Sequence, residues 1–248
     1  MRYSKTILAA AMAMTWMSGW SISLPELPAQ EGMTLKGYVH DGTAGIPGVL
    51  VTDGYTFAKT GDDGSYYLAG DDKAWCVYVI LPSGYEYGTV EQGIVKHFVT
   101  LDKSLEEQQA DFQLNPIGDD TNFTFLSHAD TQPDEYVSAS CWSGMMDAYK
   151  YMQATGLEIK EQDGFMPFNL HMGDIIYNTP GIYADFYRYK QNLIACAYTI
   201  PMLATPGNHD RRYKVDYMEA TELYRETFGP LWYSFNRGEI HFLSMDNV

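Results

Sequence analysis

Six consecutive residues, 205–210 (TPGNHD), carry side chains suited to chemistry on a metal ion or a phosphate. Asn208 offers a neutral carbonyl oxygen as a ligand, and His209 can donate a proton or a hydrogen bond near neutral pH. We expect Asp210 to hold the imidazole of His209 in one orientation, as carboxylates beside metal sites do. Alone, the segment is more typical of a polar turn between a strand and a helix.

Two further polar clusters precede this one, and each follows an apolar run. Asp130 and Gln132 come first, and Gly173 and Asp174 come second. Open α/β folds gather ligands at the ends of their strands, so these clusters are expected to meet. One carboxylate, such as that of Asp174, has two oxygens and can bridge two divalent ions, which together can clamp a phosphoryl group.

Strands and helices alternate after residue 120, and they are the elements that must position the clusters. The pattern predicts strands over 123–126, 167–176 and 198–204, helices over 143–155, 183–197 and 216–228, and a hairpin joining 232–235 to 239–245. Gly156 is expected to end the first helix, and Thr179-Pro180 to begin the second. Such alternation indicates an α/β core.

The preceding segment, residues 33–115, has an all-β pattern. Short apolar runs separated by Gly, Pro and Asp turns predict a small β-sandwich. Residues 62–64 (DDG) lack the spacing of a helix-loop-helix calcium site, so a hairpin turn explains them better. Residues 24–32 are expected to be a linker, and the acidic, turn-rich residues after the sandwich a hinge. The predicted fold class is α+β / α/β, with a second domain over 121–248.

Composition limits the partners of the chain. The 248 residues carry a formal net charge of −16, and 46% of them are hydrophobic. A long nucleic acid or an anionic membrane surface is therefore a poor partner, because both require a basic footprint. Cys76, Cys141 and Cys196 show no metal-type spacing, and buried free thiols are expected at all three positions.

Residues 1–23 have the pattern of an export signal. Arg2 and Lys5 precede an apolar core, and small residues follow it. The core is too short to span a bilayer comfortably, so no transmembrane anchor is expected. The sequence thus predicts a periplasmic or extracellular protein.

At this point the chain resembles the calcineurin-like metallophosphoesterases. Three motifs carry the resemblance in the family's order: Asp130-Thr131-Gln132, Gly173-Asp174 and Gly207-Asn208-His209-Asp210. The pattern from Tyr233 to Asp246-Asn247 is similar to that of exported bacterial members. The segment before them resembles the carboxypeptidase-regulatory, transthyretin-like sandwiches attached to secreted enzymes, on its Gly45-Ile46-Pro47-Gly48 and Asp63-Gly64 turns.

The resemblance implies a partial α/β/β/α domain holding two divalent metal ions, which could be Mn, Mg, Fe or Zn. Asp130 would bind the first ion with Gln132, Asp174 would bridge both, and Asn208 would bind the second. His209 would steady the phosphoryl oxygens or protonate the leaving group, with Asp210 beside it. The implied reaction is attack of a metal-bound hydroxide on a phosphate mono- or diester.

The chain departs from the family pattern in two ways. Gln132 stands where the family has a histidine, and His128 could substitute, although packing is its expected role. The family's later histidine motifs are absent before Val248, and neither His171 nor His241 is expected to replace them. We therefore expect an incomplete phosphoesterase that needs a missing C-terminal segment. The alternative is a non-catalytic exported binding protein with a degenerate phosphoesterase domain.

Overall fold

A computed structural model describes residues 24–88, 90–133, 139–177 and 182–246. The predicted export signal and the predicted helix start at Thr179-Pro180 lie outside these ranges. Within them, no helix combines the length and the apolar character that crossing a membrane requires.

The fold mixes helices with several β-sheets, as the sequence predicts. The strands are β1 (Leu35–His40), β2 (Leu50–Thr52), β3 (Phe57–Lys59), β4 (Ser65–Leu68), β5 (Cys76–Ile80), β6 (Tyr85–Tyr87), β7 (Val90–Glu91), β8 (Ile94–Val95), β9 (Phe98–Thr100), β10 (Gln108–Gln109), β11 (Phe112–Pro116), β12 (Phe125–His128), β13 (Phe168–Met172), β14 (Met202–Thr205), β15 (Tyr233–Arg237) and β16 (Ile240–Ser244). The helices are α1 (Ala139–Asp163), α2 (Ile182–Ala195), α3 (Tyr217–Ala220) and α4 (Glu222–Phe228).

Two sheets form the N-terminal region. One has the order β10-β1-β11-β6 with β4 also paired to β1, and the other has the order β3-β2-β5-β9. Val39 and Leu68 of the first sheet share a hydrophobic cluster with Val51 and Val77 of the second. The inward side chains of the two sheets thus make one core, because alternate residues of a strand point to the same face.

A mixed sheet of order β12-β13-β14-β8-β7 carries the three predicted site motifs. Strands β12, β13 and β14 run parallel, so their carboxyl ends lie at one edge. Phe168 and Leu203 belong to the core shared with the N-terminal sheets, whereas Met202 and Ala204 pack with the helices. The sheet is therefore covered on both faces, as parallel sheets usually are.

The N-terminal region contributes directly to this mixed sheet. Strands β7 and β8 form an antiparallel pair, and Ile94 of β8 pairs in parallel with Met202 of β14. The N–H of Met202 donates to the carbonyl of Gly93 at 2.7 Å. Residues within the segment predicted as a sandwich thus extend the sheet that carries the motifs.

The predicted end of the first helix at Gly156 is wrong, because α1 continues to Asp163. A Cβ on Gly156 would lie 2.4 Å from Cδ1 of Ile200. The glycine therefore stands inside the helix where the helix and the segment before β14 approach closely.

The third predicted helix, 216–228, is two helices. Asp216 caps α3 by accepting from the N–H groups of Met218 and Glu219. The chain then breaks at Thr221, whose hydroxyl donates to the carbonyl of Tyr217 at 2.9 Å. A threonine hydroxyl that bonds backbone competes with regular helix hydrogen bonding, which explains the interruption.

The hairpin over β15 and β16 is confirmed, with a tighter turn than expected. Arg237 pairs with Ile240, so the turn is Gly238-Glu239. Gly238 has a φ of 53°, which favours glycine. All three cysteines are free, and Cys76 and Cys196 are buried, whereas Cys141 is only half-buried.

Candidate functional site

The three motifs lie at the carboxyl edge of β12, β13 and β14 and are joined by backbone hydrogen bonds. The N–H of Asp130 donates to the carbonyl of Gly173 at 3.0 Å, and the N–H of Gln132 donates to that of Asp174 at 3.2 Å. The N–H of His209 donates to Oδ1 of Asp174 at 3.0 Å. The structure therefore brings Asp130, Gln132, Asp174 and His209 to one edge, with Asn208 exposed beside them.

Backbone strain is concentrated in these loops. Asp130 has a φ of 55°, Gln132 a φ of 30° and Asp174 a φ of 53°, and none of the three is glycine. Left-handed backbone at non-glycine residues costs about 1–3 kcal/mol each and persists where surrounding contacts fix it. The loops thus hold carboxylate and amide side chains in conformations that an isolated chain would avoid.

Gly207 lets the second and third loops approach each other. A Cβ at this position would lie 2.0 Å from Oδ1 and 2.3 Å from the backbone nitrogen of Asp174. A side chain at position 207 would displace Asp174, so a glycine is required where the backbones of these two loops approach each other.

The carboxylate of Asp174 is the centre of the site. Its Oδ2 accepts from Nε2 of Gln132 at 2.8 Å, while its Oδ1 accepts from the N–H of His209. Gln132 therefore presents its amide nitrogen, not its carbonyl oxygen, to the carboxylate. A cation shared by these two side chains would require the amide to turn over.

The expectation that Asp210 orients the ring of His209 is wrong. Oδ1 of Asp210 accepts from the N–H groups of Ile175 and Ile176 at 2.8 and 3.1 Å, and Oδ2 accepts from that of Gly207 at 2.8 Å. The carboxylate is 1% exposed, because it lies beneath the turn and serves backbone groups that would otherwise be buried without a partner. Asp210 thus joins the second and third loops.

Burial raises the pKa of Asp210 to about 7, and the nearby Asp174 carboxylate adds to the rise. The three N–H donors oppose this effect because they favour the charged form. Two carboxylates therefore lie close together at the base of the site, and one of them is held near its protonation midpoint at neutral pH.

His209 stacks against Tyr177 instead, with ring centroids 4.8 Å apart and planes inclined by 23°. Its Nδ1 is buried without a hydrogen-bond partner among the residues that the structure describes. The aromatic contact fixes the plane of the imidazole, which is the function that the sequence assigned to Asp210.

His128 does not substitute for the family's histidine. Its Nδ1 hydrogen-bonds Oδ1 of Asn169 at 3.0 Å and its Nε2 hydrogen-bonds the hydroxyl of Tyr149 at 2.9 Å. Burial lowers its pKa to about 4, so the ring is neutral. The predicted packing role is confirmed, and both ring nitrogens are engaged inside the core. His241 lies exposed on β16 and contacts Asn236, as expected for a surface histidine.

Thr131 and the buried His171 support the first loop through hydrogen bonds that the sequence analysis did not predict. The hydroxyl of Thr131 donates to the carbonyl of Ile175 at 2.7 Å and lies 2.9 Å from Nε2 of His171. Since the hydroxyl hydrogen is used on Ile175, Nε2 of His171 carries the proton and donates. Burial keeps the pKa of His171 well below its usual value, so one tautomer of a neutral ring holds the loop.

The donor set suits a hard divalent cation, because Asp130, Asp174, Asn208 and Gln132 all offer oxygen. Within residues 24–246, apart from the segments that the structure does not describe, no three His, Cys, Asp or Glu side chains form a group that could hold a metal ion. Besides His209, His128 and His171 lie near these loops, and both rings are buried or half-buried and hydrogen-bonded. The loops thus offer two carboxylates and two amides as oxygen donors.

Comparison with known families identifies one match. Residues 33–117 match the family model described as the N terminal of Calcineurin-like phosphoesterase. No curated protein matches the chain at a significant level. The family match supports the calcineurin-like phosphoesterases as the relatives of this chain, and it covers the N-terminal sheets but none of the three motifs.

Proposed function

We propose that the chain acts as an exported metal-dependent phosphoesterase that hydrolyses a phosphate mono- or diester. The observation that carries this proposal is the junction of three loops at one sheet edge, where Asp174 accepts hydrogen bonds from Gln132 and His209. The N-terminal family match supports the same activity from a different part of the chain.

Asp130, Asp174, Asn208 and Gln132 are the residues that would hold divalent ions. Such ions polarise phosphoryl oxygens and lower the pKa of bound water when they are present. Asp174 holds Gln132 and His209 through its two hydrogen bonds. Asp210 holds the Gly207 turn against the loop that follows Asp174. In this proposal His209, which stacks on Tyr177, would donate a hydrogen bond or a proton to a phosphate oxygen.

The two carboxylates, Asp130 and Asp174, need cations before an anionic substrate can approach, because a phosphate ester would otherwise meet like charge. Two further histidines near these loops do not serve as cation ligands in this proposal. His128 is hydrogen-bonded to Asn169 and Tyr149, and Nε2 of His171 is hydrogen-bonded to Thr131.

The alternative proposal is a non-catalytic exported binding protein with a degenerate phosphoesterase domain. It is favoured by the lack of a metal-holding group of His, Cys, Asp and Glu in the part of the chain that the structure describes.

Manganese titration of the purified chain, followed by electron paramagnetic resonance, tests both proposals. We expect saturable Mn²⁺ binding that Asp174→Asn removes, because the substitution deletes charge but can keep an acceptor for the N–H of His209. Asp147→Asn on α1, whose side chain is 78% exposed, is the matched control and should bind like the wild type.

Hydrolysis of p-nitrophenyl phosphate and of bis-p-nitrophenyl phosphate in the same samples separates monoester from diester activity. Binding that survives Asp174→Asn would reject the assignment of these loops to a metal. A wild-type chain that binds no Mn²⁺ and hydrolyses neither ester would favour the degenerate binding protein.

A further inference from the structure

A cavity of about 160 Å³ opens between the N-terminal sheets and the segment that contains α3, α4 and β15. It lies apart from the three motif loops. Residues from both parts of the chain line it, and those that matter for its chemistry are Asp53, Tyr55, Trp75, Tyr217, Arg225 and Trp232.

The rim of the cavity consists of exposed aromatic rings. Tyr55 is 55% exposed and Trp232 is 52% exposed. Tyr217 stacks beside Trp232 with ring centroids 6.1 Å apart and planes inclined by 23°. Exposed aromatic faces grouped around a concavity are typical of binding sites, because uncovered rings expose a large apolar surface to water.

Two rings of this rim, those of Trp232 and Tyr217, are held by hydrogen bonds. Nε1 of Trp232 donates to the carbonyl of Asp246 at 2.9 Å, and the hydroxyl of Tyr217 donates to Oδ2 of the same residue at 2.7 Å. The hydroxyl of Tyr78, a further lining residue, donates to the carbonyl of Trp232 at 3.1 Å. Rings fixed in this way lose little conformational entropy when a ligand binds.

The cavity also contains two opposite charges held in place. Arg225 is 9% exposed, and its guanidinium lies 4.7 Å from the ring centroid of Trp75. Its Nε donates to Oγ1 of Thr221 and its Nη2 to the carbonyl of Met218. Asp53 is 4% exposed. Its Oδ1 accepts from the N–H groups of Tyr55 and Thr56 and from the Thr56 hydroxyl, whereas its Oδ2 accepts one bond, from the N–H of Asp71.

We propose that this cavity binds one neutral sugar ring. The apolar face of a pyranose would stack on Trp232 and Tyr55, and its hydroxyls would donate to Asp53 and accept from Arg225. Asp53 would repel an anionic ligand, and Arg225 would repel a cationic one. A neutral ring with several hydroxyls satisfies both charges, and it matches a pocket with mainly aromatic walls and a few polar groups.

The sugar site is independent of the proposed phosphoesterase chemistry. None of Asp53, Tyr55, Arg225 or Trp232 belongs to the three motif loops, so either proposal can fail while the other stands.

Saturation-transfer NMR and tryptophan fluorescence on the full chain test the sugar site. The probes are methyl β-D-glucoside, methyl β-D-galactoside, methyl α-D-mannoside and N-acetylglucosamine. We expect saturable transfer to the ring protons of at least one probe, with a matching change in tryptophan emission. Tyr55→Ala should weaken this binding roughly two- to tenfold, the range expected for one aromatic contact.

Trp232→Ala should abolish the signal, and Tyr151→Ala, a 75% exposed residue on α1, should leave it unchanged. Tyr55 lies in an exposed loop, so its variant keeps the test valid if Trp232→Ala does not fold, as judged by circular dichroism. Absence of saturable transfer with all four sugars would overturn the proposal, as would binding that Tyr55→Ala leaves at wild-type strength.

Discussion

Three aspartates in turns of the N-terminal region make different hydrogen bonds from two aspartates at the edge of the mixed sheet. In the N-terminal sheets, Asp41, Asp63 and Asp102 each accept from backbone N–H groups two or three residues ahead. The hydroxyl of Ser65 and its N–H lower the pKa of Asp63, as a local turn does for a charged acceptor.

At the edge of the mixed sheet, the aspartates bond residues far away in the chain. Asp210 serves Ile175 and Ile176, and Asp174 serves Gln132 and His209. A local aspartate turn can form from its own few residues. The loops at the edge of the mixed sheet, in contrast, form only after strands β12, β13 and β14 have paired. The difference teaches that the candidate site depends on the whole fold.

The largest expected effect comes from removing the Asp210 carboxylate. Asp210→Ala leaves three backbone N–H groups without their acceptor, so the free energy of unfolding should fall by about 3 kcal/mol or more. Asp63→Ala, which breaks a local turn at the surface, should lower it by about 1 kcal/mol or less. Urea denaturation of both variants measures the contrast, and equal losses would remove the distinction between local and long-range aspartates.

An intermediate effect on stability is expected at His97. Unlike the three turn aspartates of the N-terminal region, this residue is buried. Burial lowers its pKa to about 4, with a further contribution from Lys96, and the rings of Tyr87 and Tyr233 contact it. The unfolded chain binds this proton near pH 6.5. The stability that the neutral ring contributes is therefore complete above that pH and is lost as the pH falls towards 4.

The His97→Leu variant isolates this contribution. Between pH 7 and pH 5, the wild type should lose about 2 kcal/mol more free energy of unfolding than the variant. Urea denaturation at the two pH values gives both numbers. If the two proteins lose the same amount, His97 does not carry the pH dependence assigned to it.

The smallest expected effect concerns two threonine hydroxyls that donate to backbone carbonyls. Thr60 donates to the carbonyl of Ile46 at 2.7 Å within the N-terminal sheets, and Thr131 makes the equivalent bond to Ile175 at the site. Thr60→Val and Thr131→Val should each lower the free energy of unfolding by about 1–2 kcal/mol.

Manganese binding distinguishes the two threonine variants. Only Thr131→Val should weaken Mn²⁺ binding, by roughly tenfold, because residues that support metal ligands influence affinity on this scale. Paramagnetic titration of both variants provides the comparison. Equal Mn²⁺ affinities would mean that Thr131 supports the fold alone.

The elements around the motifs could be predicted from periodicity. Strands β12 and β13, helix α2 and the β15–β16 hairpin overlap their expected ranges, because apolar alternation and turn residues report them locally. Strand β14 begins at Met202 and not at the expected residue 198. Gly156 misled the prediction, since the sequence cannot show that Ile200 packs against a glycine inside a helix. The pairing of Ile94 with Met202 was equally invisible, because a two-residue strand has too little pattern.

The site was predictable in its residues but not in its bonds. Motif order indicated that Asp130, Asp174 and His209 would lie close together. The direction of the Asp210 carboxylate, however, depends on which backbone N–H groups of the loop after Asp174 lack another acceptor. One sequence signal could have pointed to His171 and Asn169. They alternate on β13 among apolar residues, so two polar side chains share a buried face of one strand.

The pairing of β8 with β14 also bears on the order of events during folding. Residues far apart in sequence must meet before the mixed sheet is complete, and closing so long a loop has an entropic cost that slows folding. The β7–β8 hairpin emerges from the ribosome well before its partner strand. Until β14 is synthesised, the β8 strand of this hairpin keeps an unpaired edge that another strand could pair with.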